Sequence, residues 1–264
     1  LADIVATKRA EKNAKRRKIV DKRRFKEPIV PTGSIAKKVA KDATRTMHLR
    51  QVQDPTGERP ILKDGKHNSK IGGTVMLGRL EGAPIRTLSL EERATCPRSC
   101  EHWRSCYGNN DQHATRWRHG DELMDRLEDE IDLLILENKQ ALIRLHYLGD
   151  FWSSAYVAWW ADMITKHQGL HAFGFTAWKP GTEIGDMIAR VRALYPQRFM
   201  IRHSGTCGKW GSFTIDLPTQ KKTIGDAVTC PEQLDSMNGG DQSRHCANCA
   251  VCWSTAAAIV FVEH

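Results

Sequence analysis

Seven of the eight cysteines in this 264-residue chain fall into two groups whose spacing suits metal chemistry. Cys230, Cys246, Cys249 and Cys252 read C-x15-C-x2-C-x2-C. Thiolates at every third residue let a tight loop wrap a cubane corner by corner. A remote cysteine followed by Pro231 then closes the last iron, as in ferredoxins. Zinc is the alternative ligand for the same residues, but all-cysteine zinc sites generally use two separated C-x2-C pairs. A [4Fe–4S] cluster is therefore the expectation. Cys96, Cys100 and Cys106, in TCPRSCEHWRSCYG, form a C-x3-C-x5-C group with no fourth cysteine nearby. A cubane held by three cysteines leaves one iron open, and an open iron can bind a substrate. Cys207, in HSGTCGKWG, is the eighth. As a ligand it would close the first cluster, whereas as a plain thiol it leaves that cluster open, which is what a lone cysteine more often is.

Regular elements must hold these loops. Residues 84–90 (PIRTLSL) have the composition of a strand running into the first cysteine group. Leu123, Leu127, Ile131, Leu134 and Ile135 recur at helical steps and predict a helix over 121–140. A strand over 141–148 ends at Gly149-Asp150, and Ser153 or Ser154 caps the helix AYVAWWADMITKHQ. A strand over 171–178 leads through Pro180-Gly181-Thr182 into the helix EIGDMIARVRALY, and 198–203 is a further strand. This alternation predicts an α/β fold over 73–205, either a partial (β/α) barrel or an open parallel sheet, with cysteine-rich loop regions. Before it stand a basic N-terminal helical arm (1–50, with helices over 1–26 and 34–47) and a linker loop (51–72). After Gly205 the regularity fades into a cysteine-rich metal-binding region, 206–264.

In such folds function gathers at the carboxyl ends of the strands. That places Gly149, Asp150, Thr176, Lys179 and Ser204 as cofactor-binding candidates, with Asp150 the candidate catalytic group. Each has a structural alternative: Asp150 as a helix cap, Lys179 as a solvated charge, His146 and His203 as core histidines. Trp152, Trp159, Trp160 and Trp178 are expected to pack helix on sheet. Trp103, Trp117, Arg116 and Arg118, near the cysteine loop, are better placed to stack on a nucleotide.

The net charge of +9 is concentrated at one end. Residues 1–50 hold 16 Lys or Arg against 5 acids, which leaves the remaining chain at −2. The candidate phosphate contacts are Lys8, Arg9, Lys12, Lys15, Arg16, Arg17, Lys18, Lys22, Arg23 and Arg24. A solvated tail is the alternative. No apolar run approaches the roughly 20 residues of a membrane span, and the first residues lack a secretory h-region. A cytoplasmic protein of the host cell is expected, where thiols stay reduced and cysteines serve metals before disulfides. Phosphate-loop, dinucleotide, HExxH and GxSxG motifs are absent, against ATP-driven, nicotinamide-dependent and serine-hydrolase chemistry.

The order strand, three-cysteine loop, helix, strand ending in Leu148-Gly149-Asp150-Phe151 resembles the radical S-adenosylmethionine (SAM) enzymes, whose usual spacing is C-x3-C-x2-C. That resemblance implies a partial barrel, SAM chelated on the open iron, and its cleavage to a 5′-deoxyadenosyl radical by an electron from a redox partner. Thr95-Cys96-Pro97, Cys100, Cys106-Tyr107, Gly149-Asp150-Phe151 with Ser153, Tyr156 and Trp159, Phe175-Thr176, Ser204 with Cys207, and Cys230-Pro231 with Cys246, Cys249, Cys252 and Trp253 are similar to the phage "gene product eighty-eight" family over residues 75–255. This second resemblance implies phage origin and supplies no reaction. The first reading is radical modification of a nucleotide or nucleic acid; the alternative is a non-catalytic nucleic-acid-binding or virion-associated protein with structural iron–sulfur or zinc sites.

Overall fold

The segments ALIRL and LHAFGFT are apolar on both faces, the composition of strands covered on two sides, and each forms a central strand. The computed structural model describes residues 43–215, 226–237 and 244–262. The ten basic arm residues named above lie outside the described residues. The end of the second predicted arm helix, 43–47, is within them and is not helical. Arg45 instead pairs with Glu91 at 2.6 Å, and Thr46 Oγ1 donates to Glu92 at 2.6 Å.

The strands, in chain order, are β1 (Val52–Gln53), β2 (Lys63–Asp64), β3 (Ile85–Thr87), β4 (Arg116–Trp117), β5 (Ala141–Leu145), β6 (Leu170–Thr176), β7 (Phe199–Ser204), β8 (Gly211–Ile215), β9 (Val228–Thr229) and β10 (Ile259–Val262). Eight of them form one open sheet in the order β2-β3-β5-β6-β7-β8-β10-β9, and β1 pairs with β4 separately. Within the large sheet only the β2–β3 pairing is antiparallel. The fold is thus α/β with a mostly parallel open sheet. From β3 to β8 its order follows the chain, with helices α1 (Asp121–Asn138), α2 (Ser154–Lys166) and α3 (Glu183–Leu194) as crossovers. Ser153 Oγ accepts from Tyr156 N at 3.1 Å and Thr182 Oγ1 from Gly185 N at 3.2 Å, capping α2 and α3.

Alternation along the strands divides the core. Ala141, Ile143, Leu145, Leu170, Ala172, Phe199 and Ile201 face the helices, together with Leu123, Leu127, Ile131 and Trp160. Ile85, Leu142, Phe173 and Met200 face the other way, where Ala247, Ala250 and Trp253 cover them. Those three belong to the second cysteine segment, in and between the one-turn helices α5 (Cys246–Cys249) and α6 (Val251–Ser254), which come after α4 (Pro231–Met237). Trp152, Trp159 and Trp178 pack partly buried against the helix-side core, as expected.

The loss of regularity read after Gly205 does not hold: β8, β9 and β10 complete the sheet. The apolar segment before residue 262 is β10, seated between β8 and β9. The stretch 51–72 carries β1 and β2 and buries Ile61, Leu62 and Ile71. Glu130 of α1 holds it there, accepting from the backbone of Ile61 (2.7 Å) and Leu62 (2.9 Å). Among the described residues no helix is long and apolar enough to cross a membrane.

Candidate metal centre and cofactor site

Past Thr87 the chain stays against β5: Leu88 N donates to Arg144 O, Tyr147 N to Leu88 O and Leu90 N to Leu148 O. The cysteine loop therefore starts at the carboxyl edge of the sheet. Gly149 lies there at φ +80°, and a Cβ on it would stand 2.7 Å from both Leu90 Cβ and Thr95 Oγ1. Glycine is required for the backbone of the loop and of the β5 end to touch.

Asp150 sits fully inside this junction. Its carboxylate accepts from Phe151 N (2.8 Å), Thr176 Oγ1 (2.7 Å) and Ala177 N (2.7 Å), and its own N–H donates to Thr95 Oγ1 at 3.0 Å. It does not cap α2, since Ser153 does. Burial pushes Asp150 up to about 7, against the pull of those three donors. Lys179 Nζ joins Glu101 of the cysteine loop (2.7 Å) to Ser204 O (2.8 Å). It is a tie between loop and sheet, not a free charge. Gly149, Asp150, Thr176, Lys179 and Ser204 thus converge on the ends of β5, β6 and β7, beside the cysteine loop. His146 and His203 are both buried, with His146 Nε2 3.1 Å from Tyr156 Oη and His203 Nδ1 2.9 Å from Trp178 O.

Cys96, Cys100 and Cys106 are half-buried. Burial raises all three thiols. The charge of Asp150 adds to the rise at Cys96 and Cys100, and that of Glu92 at Cys106. Backbone N–H groups pull the other way: Arg93 on Cys96, His102 on Cys100 and Gly108 on Cys106. A nucleophilic cysteine needs an electropositive site that lowers its pKa, which is the reverse of this environment. Buried thiols that meet backbone N–H groups suit metal ligands, because a coordinating ion deprotonates the thiol outright. Cys207 is exposed on the loop after β7, and the thiols acting on Cys96 are Cys106 and Cys100.

The segment Glu91-Glu92-Arg93, which sequence reasoning passed over, supports the loop from beneath. Glu91 is taken by Arg45, and Glu92 by Arg116 at 2.7 Å and 3.0 Å. Arg93 is left without a carboxylate of its own among the described residues. Its Nη2 donates to Trp103 O (3.2 Å) and Asn109 Oδ1 (2.5 Å), while Nε and Nη1 are buried without a partner, as is Trp103 Nε1. The left-handed backbone at Arg93, φ 65°, marks a turn made at some cost. A lone buried cation with orphaned N–H groups beside three thiols is the environment that an anionic metal–thiolate group would satisfy. Two sequence expectations fail here. Arg116 and Trp117 are core residues, the first tied to Glu92 and the second donating to Ile61 O at 3.1 Å, so neither is free to stack on a base. Trp103 is buried as well, and exposed Arg118 pairs with Asp54.

Cys230, Cys246, Cys249 and Cys252 line one cavity with Pro231, Glu232 and Trp253. Burial pushes Cys246 up to about 12 and Cys252 higher still, with the nearby positive charge of Arg144 working against both. Arg202, fully buried, donates to the carbonyls of Cys252 (3.1 Å), Ala257 (2.7 Å) and Thr255 and so fastens this loop to β7. On the far side Cys246 N donates to Lys70 O and Ala247 N to Ile71 O. Among the described residues no three Cys, His, Asp or Glu side chains are gathered closely enough to share a single metal ion.

The chain matches the Gene product 88 family over residues 60–190. The Gene product 88 match starts earlier and stops sooner than the expected 75–255. It takes in β2 through β6 and part of α3, with Cys96, Cys100, Cys106, Gly149, Asp150, Thr176 and Lys179, and ends before Ser204, Cys207 and the second cysteine group. The junction of loop and sheet is therefore the part of the site that lies inside the Gene product 88 region. No curated protein and no solved structure matches the chain.

Proposed function

We propose that this is a phage-type iron–sulfur protein in which Cys96, Cys100 and Cys106 hold a [4Fe–4S] cluster with one iron free for SAM. Cys230, Cys246, Cys249 and Cys252 hold a second, closed cluster. The observation that carries this reading is the donor set: three mutually interacting thiols and a lone buried Arg93 at the carboxyl ends of parallel strands, with Cys207 exposed outside the group. An open cluster, once reduced by a redox partner, supplies the electron for reductive cleavage of SAM. The chain's own residues position it. Asp150 and Thr95 lock the loop to β5 and β6, Lys179 locks it to β7 through Glu101, and Arg93 compensates the thiolate charge. Gly149 leaves backbone at the same edge for the amino group of the ligand, beside Ser204, whose carbonyl Lys179 holds. The substrate class is a nucleotide or nucleic acid, with the basic arm holding the polymer.

Iron is favoured over zinc on ligand spacing. One zinc ion draws four sulfurs to about 2.3 Å from a common centre, whereas a cubane places one thiolate on each of four irons. Three cysteines at every third residue with a remote Cys230-Pro231 follow the cubane pattern rather than two separated C-x2-C pairs. Iron, sulfide and zinc content on protein purified without oxygen tests this, with an EPR spectrum of the reduced sample before and after SAM. About eight iron and eight sulfide are expected, with a signal that shifts on SAM addition and survives Cys207→Ala. Zinc in place of iron, or a signal indifferent to SAM, overturns the proposal and makes the cysteines fasteners of a nucleic-acid-binding or virion-associated protein.

A further inference from the structure

On the face of the sheet opposite α1–α3, a cavity of about 230 Å³ opens at the carboxyl ends of β3 and β5. Lys63 and Asp64 of β2, His67 beyond it, Asp111 and His113 from the segment after Cys106, and Tyr147 after β5 line it. Its charges are unequally committed. Asp111 accepts from Tyr147 Oη at 2.9 Å; Asp64 accepts from Lys66 N at 2.9 Å and has Arg86 at 3.6 Å. Both acids are engaged within the protein. Lys63 makes no salt bridge with any carboxylate among the described residues. Burial holds its amine below the ordinary value, the charges of Arg59 and Arg116 push the same way, and Asp111 opposes them. A half-buried amine among engaged acids gains most from an anionic ligand. Thr87, Ser89 and Asn68 add hydroxyl and amide groups to the wall, of the kind that fix a sugar or base.

The cavity also adjoins the first cysteine group. Tyr147 Oη lies 2.7 Å from Tyr107 Oη, and Tyr107 directly follows Cys106. At about 230 Å³ it sits just under the usual range of small-ligand pockets, about 300–1,000 Å³. We infer that this cavity is a binding site for a mononucleotide, with the phosphate on Lys63 and His113 and the sugar and base against Thr87, Ser89 and Asn68. The inference rests on the iron–sulfur reading only for the chemistry after binding, since it names the substrate of that same edge.

Isothermal titration of the full chain with AMP, CMP, inorganic phosphate and a single-stranded oligonucleotide tests it, with iron counted in the same sample. A mononucleotide is expected to bind more tightly than phosphate. Lys63→Met should weaken it at least tenfold, and Lys66→Met, a neighbour outside the cavity wall, should leave it unchanged; thermal unfolding confirms that both variants fold. The inference is overturned if no mononucleotide binds, if Lys63→Met binds as well as the parent, if phosphate binds equally well, or if only the oligonucleotide binds. Mononucleotide binding without iron sinks the cluster reading and leaves this one standing. Iron without mononucleotide binding does the reverse.

Discussion

Asp150 and His146, four residues apart around the end of β5, are both buried, and burial moves them in opposite directions: the carboxyl up to about 7, the imidazole down to about 3. His146 gives the cleaner pH consequence. It is neutral in the folded protein but takes a proton near 6.5 when unfolded, so its folded pKa is depressed. Its contribution to stability is complete above about pH 6.5 and is lost progressively as pH falls towards 3. Between pH 7.5 and 5 the parent should lose about 2 kcal/mol more than His146→Phe, at about 1.4 kcal/mol for each unit below 6.5. Denaturant unfolding of both proteins at the two pH values measures this, and equal losses would remove His146 from the account. The sequence marked Asp150 and His203 at strand ends and offered both histidines as core residues; the structure places Asp150 past the end of β5 and His203 in β7, and buries all three. It could not mark Glu91, Glu92 and Arg93. Three consecutive charges look like a solvated turn until Arg45, 46 residues away, and Arg116 arrive to bury them.

At the scale of elements, α4–α6 are too short to show a periodicity, whereas α1–α3 and the four strands β3 and β5–β7 were legible from theirs, with a side-chain cap on α2 and α3 as well. The strands β8 to β10 were not. β8 is five residues beginning at glycine and meets β7 at two of them, and β9 is two residues that pair with β10. Such strands are made by their neighbours, so no local pattern announces them. Arg202 has the same character: a charge in the middle of β7 that makes sense only once the loop 252–257 folds over it. Arg202→Met should leave three half-buried carbonyls without their donor, each costing up to about 1–3 kcal/mol. Elemental analysis of the purified variant is expected to show metal lost at the second cysteine group, and limited proteolysis should open the chain within 244–258. A variant that melts with the parent and keeps its full metal content would show that Arg202 does not hold this loop. Arg202→Lys, which keeps the charge without the fork, should fall between the two.

For the whole molecule the division of charge is the governing fact, with 16 basic residues in the first 50 and a slight acidic excess in the rest. If the arm carries nucleic-acid binding, a chain starting at residue 43 should keep its fold, because Arg45 and Thr46 still anchor to Glu91 and Glu92. It should lose most of its affinity for single-stranded nucleic acid, together with the steep part of the salt dependence. Each phosphate contact removed lowers the slope of log K against log salt by about 0.7 on a single strand. Filter binding across a salt series decides it, and a truncated chain with an unchanged slope would move the contact surface onto the body.

The position of β10 bears on when the protein can mature. Among the described residues β9 pairs with β10 alone, which lies some thirty residues later in the chain, and β10 must enter between β8 and β9. Synthesis runs from the N-terminus, so Cys230 emerges well before its strand has a partner, and the knuckle cysteines emerge before the sheet they cover is complete. The first cysteine group depends instead on β5, β6 and β7, all of which precede β8 in the chain. The surroundings of the two cysteine groups are thus completed one after the other. On the proposed iron–sulfur reading, the frame of the first is complete once β7 is made and that of the second must await β10, so scarce cluster delivery would leave the second group empty first.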